Sequence, residues 1–209
     1  MLEIIQAEKI KVYDLEKKFQ LKLSENANFF TEWQECLPEL NEIEKQELNR
    51  VKDSYLNLTK RPMLEDMVKM VVLSPLLNNA GFYLPPFYST SEASVEISDK
   101  DKGISIRGKI DILVLQDQLW ILVIESKQAG FSLEVGIPQA LAYMLANPQA
   151  DKPVFGLVTN GSNFIFMKMI QQEFPCYALS DEFSLRRGND LYKVLSILKR
   201  LGHSISSSS

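Results

Sequence analysis

Apolar residues recur along the chain with two different spacings. In the first part of the chain they lie three or four positions apart, as at Val12, Leu15 and Phe19, which is typical of amphipathic helices. After Gly81 they alternate with polar residues, as in Ser94–Ser98, which is typical of strands. The chain is therefore expected to begin with helices and to continue into a region of strands and helices.

The same pattern divides the chain into three parts. Residues 1–58 are rich in Glu, Lys, Gln and Asn between helically spaced apolar positions, and we expect a helical amino-terminal extension there. Residues 59–203 are expected to form one α/β domain, and residues 204–209 a disordered tail that ends in serines.

The α/β domain is expected to hold a mixed sheet between helices. In order, the predicted elements are a helix over 62–77, a strand over 94–98, a turn over 99–103, strands over 104–115 and 119–127, a helix over 135–146, strands over 154–159 and 164–167, and a helix over 191–201. The central strands are apolar on both faces, so helices should cover both faces of the sheet.

Composition excludes several classes of protein. The only cysteines, Cys36 and Cys176, cannot build a disulfide framework or a zinc cluster, and the single histidine, His203, leaves Ser-His-Asp catalysis without its usual parts. No apolar run approaches the roughly 20 residues that span a bilayer, and the acidic start does not resemble a signal peptide. We therefore expect a cytoplasmic protein with no membrane partner.

Three charged residues interrupt two of the most apolar runs. Asp111 lies in one run, and Glu125 and Lys127 end the next. Residues two apart on a strand share a face, and positions 111 and 125 are symmetric about Gln118. A loop of three or five residues would place the two carboxylates opposite each other, with Cβ atoms roughly 5 Å apart. Carboxylates that close favour a cation between them, and hard oxygen ligands favour Mg²⁺ or Mn²⁺.

This strand–turn–strand arrangement resembles the PD-(D/E)xK, or restriction-endonuclease-like, nuclease superfamily. Asp111 and the segment Glu125-Ser126-Lys127 match its central motif, although Ile110 stands where many members have Pro. Gln139 and Tyr143 match the QxxxY motif of RecB-like nucleases and of the nuclease domain of type I restriction enzyme R subunits. The resemblance covers roughly residues 60 to 170.

The resemblance implies an αβα core and hydrolysis of DNA phosphodiester bonds with Mg²⁺ (or Mn²⁺) as cofactor. Asp111 and Glu125 would then bind the metal, together with the main-chain carbonyl of Ser126. Glu65, on the preceding helix, matches the acidic residue that often supports this site.

The remaining matched residues would act on the water and the substrate. The resemblance implies that Lys127 is the catalytic base or an electrostatic partner, and that Gln139 and Tyr143 position the substrate backbone and the lysine. An i, i+4 pair such as Gln139 and Tyr143 also serves ordinary helix contacts.

Partners are implied by the same resemblance. DNA is the expected substrate, and because R subunits also carry a motor domain that this sequence lacks, a separate motor or methylase subunit is a further expected partner. The net charge of −4 argues weakly against nucleic acid, since local basic patches decide such binding. Basic residues near the proposed site are Lys100, Lys102, Arg107, Lys109 and Lys127, and the cluster around the first strands could guide phosphates, although charged turns are usually just solvated. Further along the chain lie Arg186, Arg187, Lys199 and Arg200.

Two alternatives stay open at this point. One is a non-catalytic nucleic-acid-binding or interaction subunit that keeps the nuclease fold. The other is a purely structural α/β protein, which predicts that Glu125 and Lys127 face solvent far from Asp111. The pattern does not determine whether the substrate is DNA or RNA, or whether it is single- or double-stranded. It also leaves open whether cleavage is endonucleolytic or exonucleolytic, and what the oligomeric state is.

Overall fold

The computed structural model describes residues 3–99, 104–171 and 173–206. The helices are α1 (Val12–Phe19), α2 (Glu42–Leu58), α3 (Glu65–Val68), α4 (Ser74–Asn79), α5 (Ile137–Leu145) and α6 (Asp190–Ser206). The strands are β1 (Glu3–Gln6), β2 (Lys22–Leu23), β3 (Phe87–Asp99), β4 (Ile104–Gln116), β5 (Leu119–Ser126), β6 (Val154–Thr159), β7 (Asn163–Gln171), β8 (Pro175–Leu179) and β9 (Phe183–Ser184).

The described strands form one mixed sheet that is covered on both faces. Its order is β1-β4-β5-β6-β7-β8-β2, with β3 paired to β4 and β9 paired to β7. Leu15 of α1 and Leu141 of α5 belong to the core cluster on one face. Val51 of α2, Leu76 of α4 and Leu198 of α6 belong to the cluster on the other. The predicted α/β class, with a mixed sheet between helices, is confirmed.

The β4–β5 hairpin aligns its two carboxylates by an unexpected route. Its turn contains only Asp117 and Gln118, so the predicted loop of three or five residues is wrong. A bulge at Ile121 adds one residue to β5, and beyond it Ile112 pairs with Ile124. One position further from the turn, Asp111 on β4 and Glu125 on β5 therefore still lie opposite each other.

The first 58 residues are not a purely helical extension. β1 pairs with β4 and β2 pairs with β8, so both strands belong to the central sheet. The helical spacing at Phe29, Phe30 and Trp33 corresponds to turns rather than to a helix. Strands of four and two residues are too short to show an alternating pattern, and their pairing partners lie far away in sequence.

Other predicted elements need smaller corrections. The helix over 62–77 is divided into α3 and α4 by a π-helical segment, Lys69–Leu73. β8 and β9 were not expected, and α6 extends to Ser206, into the segment predicted as a tail. Residues 100–103 of the predicted turn and residues 207–209 lie outside the described residues. Among the described helices, none has the length and apolar character needed to cross a membrane.

A gap in the pairing of β4 fixes the position of a cleft. β3 occupies one edge of β4 along its whole length, so β1 and β5 must share the other edge. β1 pairs with residues 104–107 and runs parallel to β4, whereas β5 pairs with residues 112–116 and runs antiparallel. The carboxyl ends of β1 and β5 therefore face each other across residues 108–111.

Candidate active site

A cleft of about 680 Å³ opens at this gap in the sheet. Glu65, Asp111, Glu125, Lys127 and Gln139, all predicted from the sequence, line it. Gln6 and Glu8, at the end of β1 and just beyond it, line it as well, and sequence reasoning gave no role to either. Five predicted site residues thus come together, from β4, β5, α3, α5 and the segment after β5.

Asp111 is buried and accepts two hydrogen bonds. Its Oδ2 atom accepts from the backbone N–H of Ser126 at 2.6 Å, and its Oδ1 atom accepts from Lys69 Nζ at 2.7 Å. Burial raises the pKa of Asp111, although both hydrogen bonds oppose that shift. The Ser126 contact ties the two strands together at the carboxylate.

Glu125 is the most buried carboxylate of the cleft, with 2% of its surface exposed. Its Oε1 atom accepts from Lys127 Nζ at 2.6 Å, while its Oε2 atom is buried and has no hydrogen-bond partner among the described residues. Burial and the charge of Asp111 raise the pKa of Glu125 to about 8, despite the opposing effect of Lys127. A buried acceptor without a partner is costly, and it indicates a place for a cation or a water molecule.

A chain of hydrogen bonds connects Lys127 to α5. Lys127 Nζ donates to Gln139 Oε1 at 2.8 Å, and Gln139 Nε2 donates to the Tyr143 hydroxyl at 2.8 Å. Burial raises the pKa of Tyr143, so its hydroxyl keeps its proton. Gln139 and Tyr143 are both buried, and their i, i+4 spacing aligns them along the face of α5 that meets the sheet.

Two glycines allow α5 to approach the strands this closely. A Cβ atom on Gly108 would lie 2.7 Å from Tyr143 Cε1, and one on Gly136 would lie 2.7 Å from Val158 Cγ1. The same Gly136 Cβ would lie 3.3 Å from Lys127 Cε. Both positions were missed by sequence reasoning, because a glycine that makes room for a helix has no local pattern of its own.

Lys69, also missed, bridges two acids at the cleft. Its Nζ atom lies 2.7 Å from Asp111 Oδ1 and 2.8 Å from Glu65 Oε1. Burial acts to lower the pKa of Lys69, but the hydrogen bonds to the two acids outweigh it and raise the pKa. Lys69 therefore remains a cation, and Glu65 interacts with Asp111 through it. The available signal was the i, i+4 spacing of Glu65 and Lys69, which favours an ion pair on a helix.

Glu92 is a further acid at the cleft. It faces Asp111 in the β3–β4 register, between the pairs Ser91–Ile112 and Ala93–Ile110, without being paired itself. Its backbone is left-handed (φ 56°), and its carboxylate lies 3.6 Å from Lys109 Nζ. Non-glycine residues adopt this conformation infrequently, and such irregularities cluster near functional sites.

The donor set fits a hydrated magnesium ion better than a metal held by protein alone. Within the described ranges, no group of three or more His, Cys, Asp or Glu side chains is arranged to hold a metal ion. Mg²⁺ commonly keeps several waters and uses only one or two carboxylates, which Asp111 and Glu125 can supply. The unpartnered Oε2 atom of Glu125 fits this role, whereas Asp111 Oδ1 becomes available only if Lys69 moves.

The geometry contradicts the arrangement that the purely structural alternative predicted. That alternative required Glu125 and Lys127 to face solvent far from Asp111. Glu125 is instead buried against Lys127, and the charge of Asp111 affects it directly.

The chain matches the family model for the type I restriction enzyme R protein N terminus over residues 6–173. This range includes every residue that lines the cleft in the described part of the chain. No curated protein matches the chain.

Proposed function

Because the chain belongs to the family of the type I restriction enzyme R protein N terminus, we propose that it is a metal-dependent nuclease that hydrolyses phosphodiester bonds of DNA. One observation supports this most strongly. Asp111, Glu125 and Lys127 meet in a single cleft, where Glu125 keeps a buried oxygen without a hydrogen-bond partner in the described structure. Burial of two acids beside a lysine lowers the stability of a fold, so the presence of such a group favours a functional role for it.

Asp111, Glu125 and the main-chain carbonyl of Ser126 would hold the metal, with Glu65 in support. When bound, Mg²⁺ or Mn²⁺ would supply Lewis-acid chemistry at the scissile phosphate and at the attacking water. Glu125 would give up its proton on binding, since its pKa is raised to about 8 in the metal-free protein.

Lys127 would orient the attacking water and stabilise the negative charge that develops on the phosphate. The water oxygen forms a bond to phosphorus and releases a proton to solvent, the bond to the leaving oxygen breaks, and that oxygen takes a proton from solvent. Gln139 and Tyr143 would keep the Lys127 ammonium aimed into the cleft through their hydrogen-bond chain. Lys127→Met is expected to slow cleavage by ~10²–10⁴-fold, the range typical of a general acid or base.

Incubation of the purified protein with supercoiled plasmid DNA and Mg²⁺ or Mn²⁺ tests the proposal. Nicked or linear products are expected, and Asp111→Ala should form none. RNA and single-stranded DNA, offered in parallel, determine which polymer is cut. If no polymer is cut with either metal, the proposal is wrong.

A second candidate function is a non-catalytic subunit that binds nucleic acid or a protein partner. The ion pair of Lys69 with Asp111 favours it, because an internal cation already neutralises the acid there. Calorimetric titration with Mn²⁺ separates the two candidates. A nuclease should show a binding site that Glu125→Ala abolishes, whereas a pure binding module should show none.

Association with other subunits is part of the proposal for either candidate. The family is named for the R protein of type I restriction enzymes, which suggests that this chain works beside a motor or methylase subunit.

A further inference from the structure

A second cleft, of about 550 Å³, lies beside the proposed active site and carries a concentration of positive charge. Lys60 and Arg61, just after α2, and Arg186, after β9, line it, and all three side chains are exposed. Within the described ranges none of the three forms an ion pair. By contrast Lys69, Lys127 and Lys168, which are more buried, are each paired with an acid. We call this feature the basic cleft.

Polar groups between the cations complete the lining of the basic cleft. Ser162 contributes from the β6–β7 turn and Asn163 from the start of β7, and Tyr55, which carries a hydroxyl group, lines the cleft as well. Burial raises the pKa of Tyr55, so this hydroxyl stays protonated. The nearby acid is Glu182, whose carboxylate accepts a hydrogen bond from Asn163. Guanidinium, ammonium and hydroxyl donors together are the groups that bind phosphate oxygens.

The segments that carry the cations are fixed to the β6–β7 turn. The backbone N–H of Leu185, next to Arg186, donates to Ser162 O at 2.7 Å. A Cβ atom on Gly161 would lie 2.7 Å from Tyr55 Cε2, so the turn packs directly on α2, which precedes Arg61. The backbone segments that carry the three cations are therefore fixed before any ligand arrives, which lowers the entropic cost of binding.

One short segment separates the basic cleft from the proposed active site. Ala129 and Gly130 line the basic cleft, whereas Gln128 and Phe131 line the active-site cleft. Asn160 Nδ2 donates to Phe131 O at 2.7 Å, which attaches this segment to the β6–β7 turn. A polymer lying across residues 128–131 would therefore reach both clefts.

We propose that the basic cleft binds a backbone phosphate of the same nucleic-acid strand whose scissile phosphate lies at Asp111, Glu125 and Lys127. The proposal rests on the proposed nuclease function. Arg61 and Arg186 make the principal contacts, because a planar guanidinium can donate two hydrogen bonds to one phosphate. The cleft positions the strand and does not read its sequence, since phosphate contacts carry no base information.

Binding of fluorescently labelled DNA to the intact protein in metal-free buffer tests this without any cleavage. The test variant is Arg61→Gln/Arg186→Gln, and the control is Lys152→Gln/Lys193→Gln, which removes two exposed cations elsewhere. Between about 50 and 200 mM salt, the test variant should bind about tenfold or more weakly, and its log K against log[salt] slope should be shallower by ~0.7–0.9. The control should bind within about twofold of the unmodified protein, because its cations make no phosphate contact.

The outcomes distinguish this proposal from the nuclease proposal. If the unmodified protein binds and cuts DNA but the arginine variant binds equally well, the basic cleft proposal is overturned and the nuclease proposal stands. If the test and control variants lose DNA affinity equally, the effect comes from overall charge, and the basic cleft proposal is also overturned. If the unmodified protein binds no nucleic acid, the basic cleft proposal is overturned, and the cleavage assay with metal decides the nuclease proposal separately.

A matched titration with inorganic phosphate distinguishes the source of the phosphate. If Arg61→Gln/Arg186→Gln abolishes phosphate binding while DNA binding is unchanged, the cleft is a site for a free anion, and the proposal is overturned. Loss of DNA binding supports the proposal whether or not inorganic phosphate binds. Both arginines are exposed, so thermal melting of the variant should match that of the unmodified protein.

Discussion

At the scale of single residues, Glu125 is deeply buried, and its surroundings only partly stabilise its charged form. Lys127 binds one oxygen, the other has no hydrogen-bond partner in the described structure, and Asp111 adds a second negative charge nearby. Sequence reasoning found Asp111, Glu125 and Lys127 because charges inside apolar runs are visible in the sequence. It missed Lys69, whose importance depends on a contact with Asp111 across 42 positions.

The raised pKa of Glu125 predicts how stability depends on pH. Between the ordinary value of 4.5 and the folded value of about 8, the folded protein holds a proton that the unfolded chain has lost. The free energy of unfolding of the metal-free protein should therefore fall as pH rises through this interval. Denaturant titrations at several pH values measure the slope, and Glu125→Gln, which stays neutral, should flatten it.

Glu44→Gln is the matched control for that slope. Burial acts to raise the pKa of Glu44, but hydrogen bonds with Lys199 and with the Asn41 backbone lower it overall. The stability that Glu44 contributes is lost only at acidic pH, below the interval in which Glu125 changes stability. Glu44→Gln should therefore keep the fall in the free energy of unfolding across that interval. An unchanged slope in Glu125→Gln would show that the proton is not held at Glu125.

If Lys69 and the metal compete for Asp111, replacement of Lys69 should make the stability of the protein depend on metal. Lys69→Met leaves Asp111 and Glu65 without their shared cation, and the metal-free protein should lose ~1–3 kcal/mol of stability. Saturating Mn²⁺ should restore most of that loss, because the metal takes over the role of the ammonium. Thermal melting with and without Mn²⁺ measures both effects.

Lys168→Met controls for the general cost of breaking a half-buried ion pair. Lys168 pairs with Glu32 at 2.5 Å, and both side chains are exposed to a similar extent as those of Lys69 and Asp111. Its loss should also destabilise the protein, but Mn²⁺ should not compensate for it. Equal responses of the two variants to Mn²⁺ would contradict the assignment of the metal to Asp111.

At the scale of elements, most long strands and helices were predicted, whereas short or irregular ones were not. The long strand β3 (Phe87–Asp99) was expected only over 94–98. β6 was predicted with its observed bounds, and β5 ends one residue earlier than expected. The bulge in β5, the π-helical segment before α4 and the strands β1 and β2 were missed. Strands β1 and β2 depend on pairing with distant residues, and the spacing of apolar positions does not reveal a bulge or a π-helical segment.

The contact between α5 and the strands makes Gly136 sensitive to substitution. Gly136→Ala would place a Cβ atom 2.7 Å from Val158 Cγ1 and 3.3 Å from Lys127 Cε. A shift of α5 should cost ~1–3 kcal/mol and reduce cleavage, because Gln139 moves with the helix. Chemical denaturation and a cleavage assay on the same preparation measure the two effects.

Gly156→Ala is the corresponding control. Its Cβ atom would contact Met144 Sδ at 2.7 Å and Met167 Cε at 2.8 Å, which are the flexible ends of side chains away from Lys127. It should reduce stability less and leave cleavage by the folded protein unchanged. If Gly136→Ala cuts DNA at the normal rate, α5 does not position Lys127 as proposed.

At the scale of the whole molecule, the amino-terminal region is part of the fold and forms one side of the cleft. β1 shares the edge of β4 with β5, and its end contributes Gln6 to the cleft lining. Sequence reasoning treated this region as an extension because its most visible pattern was helical. The architecture of the central domain was nevertheless predicted, because strands that are apolar on both faces require helices on both faces of the sheet.

Deletion of residues 1–58 should therefore prevent folding. The described part of this region supplies eight buried apolar side chains, Ala7, Ile10, Leu15, Leu21, Phe30, Leu48, Val51 and Tyr55. At about 1.5–3 kcal/mol for each of the seven large side chains, the loss amounts to roughly 10–20 kcal/mol, which is as large as the 5–15 kcal/mol by which domains are typically stable. Circular dichroism and thermal melting of the truncated chain test this, and a cooperative transition like that of the full chain would contradict it.

The central claim is that Asp111, Glu125 and Lys127 form one metal-dependent nuclease site, and cleavage of DNA by matched variants tests it most directly. Unmodified protein, Asp111→Asn, Glu125→Gln and Lys127→Met are compared on one DNA substrate with Mg²⁺, with Mn²⁺ and with a chelator, and Lys152→Gln serves as the control. The unmodified protein and Lys152→Gln should cut only with metal, and each site variant should be at least ~100-fold slower. Cleavage that continues in the chelator, or at an equal rate in Asp111→Asn, would contradict the claim.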